Sequence, residues 1–165
     1  MTNRPTAQEI IEGLHLAPLD REGGMFRSTY RTKENVNGQT MGSAIYFFLT
    51  KHAFSHMHRL PKDEVYHFYL GDPVDLLELL PDGTARTVTI GADIQNGQQP
   101  QVVVRAGSWQ GSRVADGGEY ALMGTTMSPG FEPNDYEHAD AQELIRQYPA
   151  AAEWIERLTG DTLYQ

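Results

Sequence analysis

What most constrains this chain is a long middle stretch of short strand-like segments divided by turn residues. Residues 24–31, 42–50, 54–59, 64–70, 74–80, 85–90, 101–106 and 119–127 are rich in aromatic and β-branched side chains, which suit a pleated, half-buried surface. Between them fall Asn37-Gly38, Gly71-Asp72-Pro73, Pro81-Asp82-Gly83, Asn96-Gly97 and Gly117-Gly118, residues that accept positive φ or fix a turn. Asp82-Gly83 predicts a hairpin between its two flanking strands. Many short strands at this spacing point to an all-β sandwich or barrel. Periodicity alone does not choose between an immunoglobulin-like sandwich and a jelly roll.

The two ends read differently. Thr6 with Glu9 three residues on is a capping-box pattern, and Ile10, Ile11 and Leu14 follow at helical spacing. Near the other end Asp140 and Glu143 repeat the pattern ahead of Leu144, Ile145 and Tyr148. After Pro149 a second stripe, Trp154, Ile155 and Leu158, runs to Gly160. Short N- and C-terminal helices packed outside a sheet are therefore expected.

The 165 residues suit one domain, 1–165. With no cysteine there is no disulfide framework, thiolate metal site or cysteine nucleophile. A net charge of −9 repels nucleic acid and anionic lipid, so neither is an expected partner. No apolar run reaches the length of a membrane span, and the first residues lack the apolar stretch of a signal peptide. The expectation is a soluble cytoplasmic protein acting on a small-molecule ligand.

The chemistry is concentrated in Phe54-Ser-His-Met-His58 and the strand that begins at Glu64. His56 and His58 stand two apart on a strand and so are expected to share a face. Two imidazoles on one face can ligate a divalent metal, or bind and deprotonate a substrate. After a turn, Glu64 is expected to return to that face, with Tyr66 and Phe68 continuing it and His67 and Tyr69 opposite. The pattern H-x-H, a turn, E, six residues, then G resembles the first motif of the cupin superfamily, with six residues between Glu64 and Gly71 and five between His58 and Glu64. The second cupin motif corresponds to Arg105-Ala-Gly-Ser-Trp-Gln-Gly111, where Arg105 replaces the usual proline and Gln110 the usual histidine ligand. Gln is a poor ligand for zinc or iron.

A closer resemblance spans most of the chain. It is carried by Glu22-Gly-Gly-Met-Phe-Arg-Ser-Thr-Tyr30, Ser43-Ala-Ile-Tyr-Phe-Phe-Leu49, Phe54-Ser-His-Met-His58, Asp63-Glu-Val-Tyr-His-Phe-Tyr-Leu-Gly-Asp-Pro73, Pro100-Gln-Val-Val-Val104, Gly107-Ser-Trp-Gln-Gly111 and Ser128-Pro-Gly-Phe131. Together these resemble the cupin-like family known as domain of unknown function 985. The resemblance implies a jelly-roll (cupin) β-barrel, commonly a homodimer, similar in shape to sugar-nucleotide epimerases such as dTDP-4-dehydrorhamnose epimerase. It implies no established reaction.

The candidate catalytic set is thus His56, His58, Glu64 and Tyr66, a histidine removing a proton beside a carbonyl and Glu64 or Tyr66 handling the other. Alternatively His56, His58, Glu64 and Gln110 hold a divalent ion (Fe, Ni, Mn or Zn) for oxygenase or metal-assisted isomerase chemistry. In a third reading the barrel only binds a metabolite. Candidate ligand contacts are Ser28, Tyr30, Tyr46, Phe68, Trp109 and Gln110. Arg27 either meets an anionic group or makes a surface salt bridge. The segment Phe131-Glu-Pro-Asn-Asp-Tyr136 either closes over the mouth or leads on to the C-terminal helix. His15, His52 and His138 fall outside any ligand spacing and are read as surface or packing residues.

Overall fold

The turn residues and strand segments resolve into two antiparallel sheets laid face to face. The computed structural model describes residues 3–162. One sheet contains β1 (Ala17–Pro18), β2 (Met25–Arg31), β5 (Ser43–Thr50), β7 (Glu64–Gly71), β10 (Gln101–Val104) and β12 (Tyr120–Met127), in the order β1-β2-β5-β12-β7-β10. The other contains β6 (Ser55–Arg59), β8 (Val74–Leu79), β9 (Ala85–Ile90), β11 (Trp109–Val114) and β13 (Glu137–His138), in the order β13-β6-β11-β8-β9. In the connection from β2 to β5, β3 (Asn35–Val36) and β4 (Gln39–Thr40) form a small separate hairpin, turned by Asn37 and Gly38 at φ of 52° and 76°, as a two-residue turn of this hand requires. The hairpin expected at Asp82-Gly83 joins β8 to β9. The fold is the all-β jelly roll expected from the sequence.

Three apolar layers hold it. Phe47, Leu49, Tyr66, Leu76, Ile90 and Met123 fill the space between the sheets. α1 (Ala7–Gly13) lays Ile10 on the outer face of the six-stranded sheet, against Phe48, Tyr120 and Leu122. α2 (Ala141–Gln147) and α3 (Ala152–Arg157) cover the outer face of the other sheet, burying Leu144, Ile155 and Leu158 on Phe54, Met57 and Leu77. The expected caps are present: Thr6 and Glu9 bond reciprocally, and Asp140 accepts from the Glu143 backbone N–H at 2.9 Å.

β11 was not among the strands expected from the sequence. Its Gly111-Ser112-Arg113 run carries little β-propensity. Packing requires it nonetheless: a Cβ on Gly111 would lie 2.6 Å from Met57 Sδ and 3.1 Å from the Ser55 carbonyl oxygen. Only a bare backbone fits between β6 and β8 at that point.

Candidate active site

At one end of the sandwich a cavity of about 190 Å³ opens between the sheets. Inward-facing residues of β2, β5, β7 and β12 form most of its wall: Phe26, Ser28, Arg31, Ser43, Ile45, Phe47, Glu64, Tyr66, Thr125 and Met127. His58 enters from β6, and Leu19, Glu22, Leu60 and Phe131 come from connecting segments. The wall is mainly apolar, with polar groups gathered at a few places, the usual character of a small-molecule site.

His58 is 1% exposed. Its Nδ1 lies 2.7 Å from the carbonyl oxygen of His56. A carbonyl only accepts, so Nδ1 carries the hydrogen and Nε2 is bare in the neutral ring. Glu22 Oε1 stands 3.6 Å from that Nε2, just beyond hydrogen-bond length. Burial lowers the imidazole's affinity for a proton, with the nearby Glu64 only partly offsetting it. Burial also pushes the Glu22 carboxyl up to about 7, against the opposing bond from Ser55 Oγ. The usual order is inverted: the imidazole is held neutral while the carboxyl keeps its proton into the neutral range.

Glu64 lies nearby, its carboxyl raised first by burial and then by the Glu22 charge. It accepts from Gln110 Nε2 at 3.1 Å, and Gln110 Oε1 in turn accepts from the Tyr66 hydroxyl at 2.7 Å. This chain is fully internal: Tyr66 and Gln110 are each 1% exposed. Burial pushes the Tyr66 phenol well up, so it stays protonated, and its one hydrogen is committed to Gln110. Tyr66 therefore fixes Gln110, which fixes Glu64, rather than acting as the free acid anticipated from the sequence.

His56 does not share the cavity with His58. Ser112 of β11 pairs with Ser55, and Gln110 with His58, so Gly111 alone faces both His56 and Met57. That β-bulge breaks the two-residue alternation. His56 Nδ1 lies 2.8 Å from the Met57 carbonyl oxygen, and its Nε2 accepts from the Gly160 N–H at 3.2 Å. Its ring stacks on Phe54 and, with centroids 3.8 Å apart, on His138. Tyr136 lies over His58 at 5.3 Å and hydrogen-bonds His138 Nδ1 at 2.7 Å. Residues 131–138 thus form a strap over the site, pinned by Lys62 Nζ to the Gly130 carbonyl and to Asp135, both at 2.8 Å.

The other sequence candidates divide by the face they occupy. Ser28 lines the cavity. Tyr30 does not: a bulge at Thr29 shifts the register, so that Ser28 faces Ile45 but Arg31 faces Ser43, and Tyr30 is turned to solvent with 61% of its surface exposed. Tyr46 also points outward. On β5 it is Ser43, Ile45 and Phe47 that face in, while Tyr46 packs edge-on to Tyr69 under Arg27. Arg27 accordingly serves the outer face. Phe68 belongs to the inter-sheet core beyond the cavity. Trp109 packs beneath the C-terminal helices with Arg59 above its ring.

The metal set His56, His58, Glu64 and Gln110 is not assembled. Both ring nitrogens of His56 are taken by backbone groups outside the cavity, and the Gln110 amide is consumed by Tyr66 and Glu64. Among the described residues no three His, Asp or Glu side chains converge as a ligand set. The donors present do not fit a bound divalent ion.

Three contributors were not singled out from the sequence. Glu22 sits on a loop remote from the histidine motif, and its signal was the Gly pair that follows it. Gly23 and Gly24 have φ of 94° and 72°, and Cβ atoms there would lie 2.3 Å from the Phe54 and 2.9 Å from the Phe48 carbonyl oxygens. Only glycines bring that loop close enough for the Glu22 carbonyl to accept from the His56 N–H at 2.7 Å. Arg31 was concealed by the Thr29 bulge. His138, read as a surface or packing residue, packs on His56 through the strap, and no local pattern announces it.

The family model described as cupin superfamily (DUF985) matches residues 8–139. The crystal structure of a protein from Shewanella oneidensis superposes with a TM-score of 0.89 at 32% identity, covering 95% of this chain and 99% of that one. A hypothetical protein from Leishmania major does so with a TM-score of 0.87 at 30% identity, covering 95% and 100%. Oxalate decarboxylase from Bacillus subtilis is similar in fold alone, with a TM-score of 0.57 at 13% identity over 90% of this chain and 38% of that one. No curated protein matches significantly.

Proposed function

Starting from the fact that the chain belongs to the cupin superfamily, in the family described as DUF985, we propose that it is a small-molecule isomerase or epimerase working by proton transfer at His58. The observation that carries this reading is the bare His58 Nε2 set 3.6 Å from the proton-retaining Glu22 carboxyl in a mostly apolar cavity. His58 takes the proton from a carbon beside a carbonyl. Glu22 gives its proton to the carbonyl oxygen as negative charge develops there; protonation of the resulting enol at the neighbouring carbon, or at the same carbon from the opposite face, with loss of the enol proton back to Glu22, releases an isomer. Glu64, held by Gln110, is the second carboxyl available to the opposite face of the substrate. Tyr66 is a positioning residue in this scheme and His56 a structural one.

Cavity size limits the substrate. An apolar cavity of about 150 Å³ accommodates benzene, so about 190 Å³ takes a reacting portion of roughly six to ten heavy atoms. A carbonyl compound of pentose size or smaller fits. A whole sugar nucleotide does not, though its sugar could enter with the remainder outside.

The test is deuterium exchange into small carbonyl compounds in heavy water, read by proton NMR on chelator-treated protein. Exchange at the carbon beside the carbonyl is expected with the native protein. It should fall about a hundredfold or more in His58→Gln and about tenfold to a hundredfold in Glu22→Gln, while His56→Gln retains it. Binding of the same compounds with no exchange by any of them would instead establish a metabolite-binding barrel.

A further inference from the structure

The cavity has two chemically different ends, and the end away from His58 carries its own recognition chemistry. Arg31 is the one Lys or Arg among the residues lining it. Its Nη1 donates to the Phe131 carbonyl at 2.5 Å and its Nη2 to Glu132 Oε1 at 2.7 Å. Glu132 does not line the cavity, and it is itself held by the Thr40 N–H and hydroxyl at 3.3 and 2.9 Å. The guanidinium is therefore braced from behind, with only two of its five N–H groups used. Its side chain stays 43% exposed, so the remaining donors are open to a ligand. Beside it Ser43 Oγ accepts from the Phe131 N–H at 2.9 Å, which leaves the hydroxyl hydrogen to donate. Ser28, also at the wall, is paired through its backbone with Ile45 and carries a hydroxyl that can donate.

Three donors at a cavity mouth, one a guanidinium whose charge is shared with Glu132 behind it, match an anionic group with several acceptor oxygens. One cation suits a singly charged carboxylate, whose planar oxygens meet a guanidinium side by side, better than a phosphate dianion. The two carboxyls toward His58 oppose this less than ionised acids would, because burial raises Glu64 and pushes Glu22 up to about 7. We propose that Arg31, Ser28 and Ser43 form the subsite for the carboxylate of a small oxo or hydroxy acid whose reacting carbon lies at His58. The carboxylate end stands on the Arg31 geometry alone, and only the far end of the ligand rests on the proton-transfer reading. The Thr29 bulge is the device that builds the subsite, since regular alternation would present Tyr30 there instead.

The test is calorimetric binding, near neutral pH, of oxo acids of about four to six carbons and their methyl esters. Native protein, Arg31→Gln, Arg31→Lys and His58→Gln are compared, with inorganic phosphate as competitor and thermal denaturation to check folding. At least one acid should bind the native protein about tenfold or more tightly than its ester. Arg31→Gln should bring that acid down to the level of its ester, Arg31→Lys should recover part of the preference, and His58→Gln should keep it. Esters binding as well as acids, no acid binding, or an undiminished preference in Arg31→Gln would overturn the subsite. Phosphate displacing the acid at equal concentration would reassign it to phosphate esters. Exchange on neutral sugars without acid preference sinks this inference and spares the proton-transfer reading; acid preference without exchange does the reverse.

Discussion

Glu22 decides the electrostatics of the site, and the direction of its shift has a measurable sign. Its carboxyl is raised from 4.5 to about 7 because burial strips water from the ionised form. The folded protein therefore holds more protons than the unfolded chain between those values, and its stability falls as pH rises from about 4.5 through 7. Glu22→Gln removes that dependence. The variant should match the native protein near the acid end of the window and exceed it by about 3 kcal/mol in mildly alkaline solution, measured by denaturant unfolding across pH. His138 acts on the other side. Burial and the stacked His56 lower it from 6.5 to about 4, so stability is lost as pH falls from 6.5 toward 4, and His138→Gln should flatten that acid slope in the same experiment. At this scale His58, Glu64 and Gln110 were legible because a motif and a strand's alternation carried them. Glu22 was not, because its approach depends on a loop that two glycines let fold against β6.

At the scale of elements, the two bulges determine which side chains face the cavity. The extra residue at Thr29 in β2 substitutes Arg31 for Tyr30, and the extra residue in β6 sends His56 outward while His58 stays in. Bulges leave little trace in a sequence. The only hint was Gly111, the narrow partner opposite His56 and Met57, in a segment whose composition did not read as a strand. Alternation held where pairing is regular, as on the first part of β7, where Glu64 and Tyr66 face in and His67 reaches Thr126 on the other face, ahead of a register shift at Tyr69. The same strand ends at Gly71, with φ of 104° and a Cβ that would lie 2.4 Å from the Tyr120 carbonyl oxygen. Gly71→Ala should thus cost about 3 kcal/mol through backbone strain and a clash that backbone cannot easily relieve, seen as a lower denaturation midpoint. Met57 is 0% exposed beneath the C-terminal helices, and Met57→Ala should cost about 2–5 kcal/mol through the cavity it leaves.

Across the whole molecule, the turn spacing and capping boxes were enough to place an all-β fold between terminal helices, and the histidine motif to select the jelly roll. The direction of each side chain at the site required the register of paired strands. The sequence pattern admitted histidine acid–base chemistry or, as an alternative, a metal centre; the assembled protein presents an imidazole disfavoured from protonation, a carboxyl raised to about 7 and a cavity wall that is mostly apolar. No helix among the described residues is long and apolar enough to cross a membrane. The inverted protonation of His58 and Glu22 is open to NMR titration of the labelled histidine ring and glutamate carboxyl. The expected result is a neutral His58 ring with its hydrogen on Nδ1 just below neutrality, and a Glu22 carboxyl titrating at about 7. An imidazolium paired with a Glu22 carboxylate that titrates in the ordinary acidic range would contradict it.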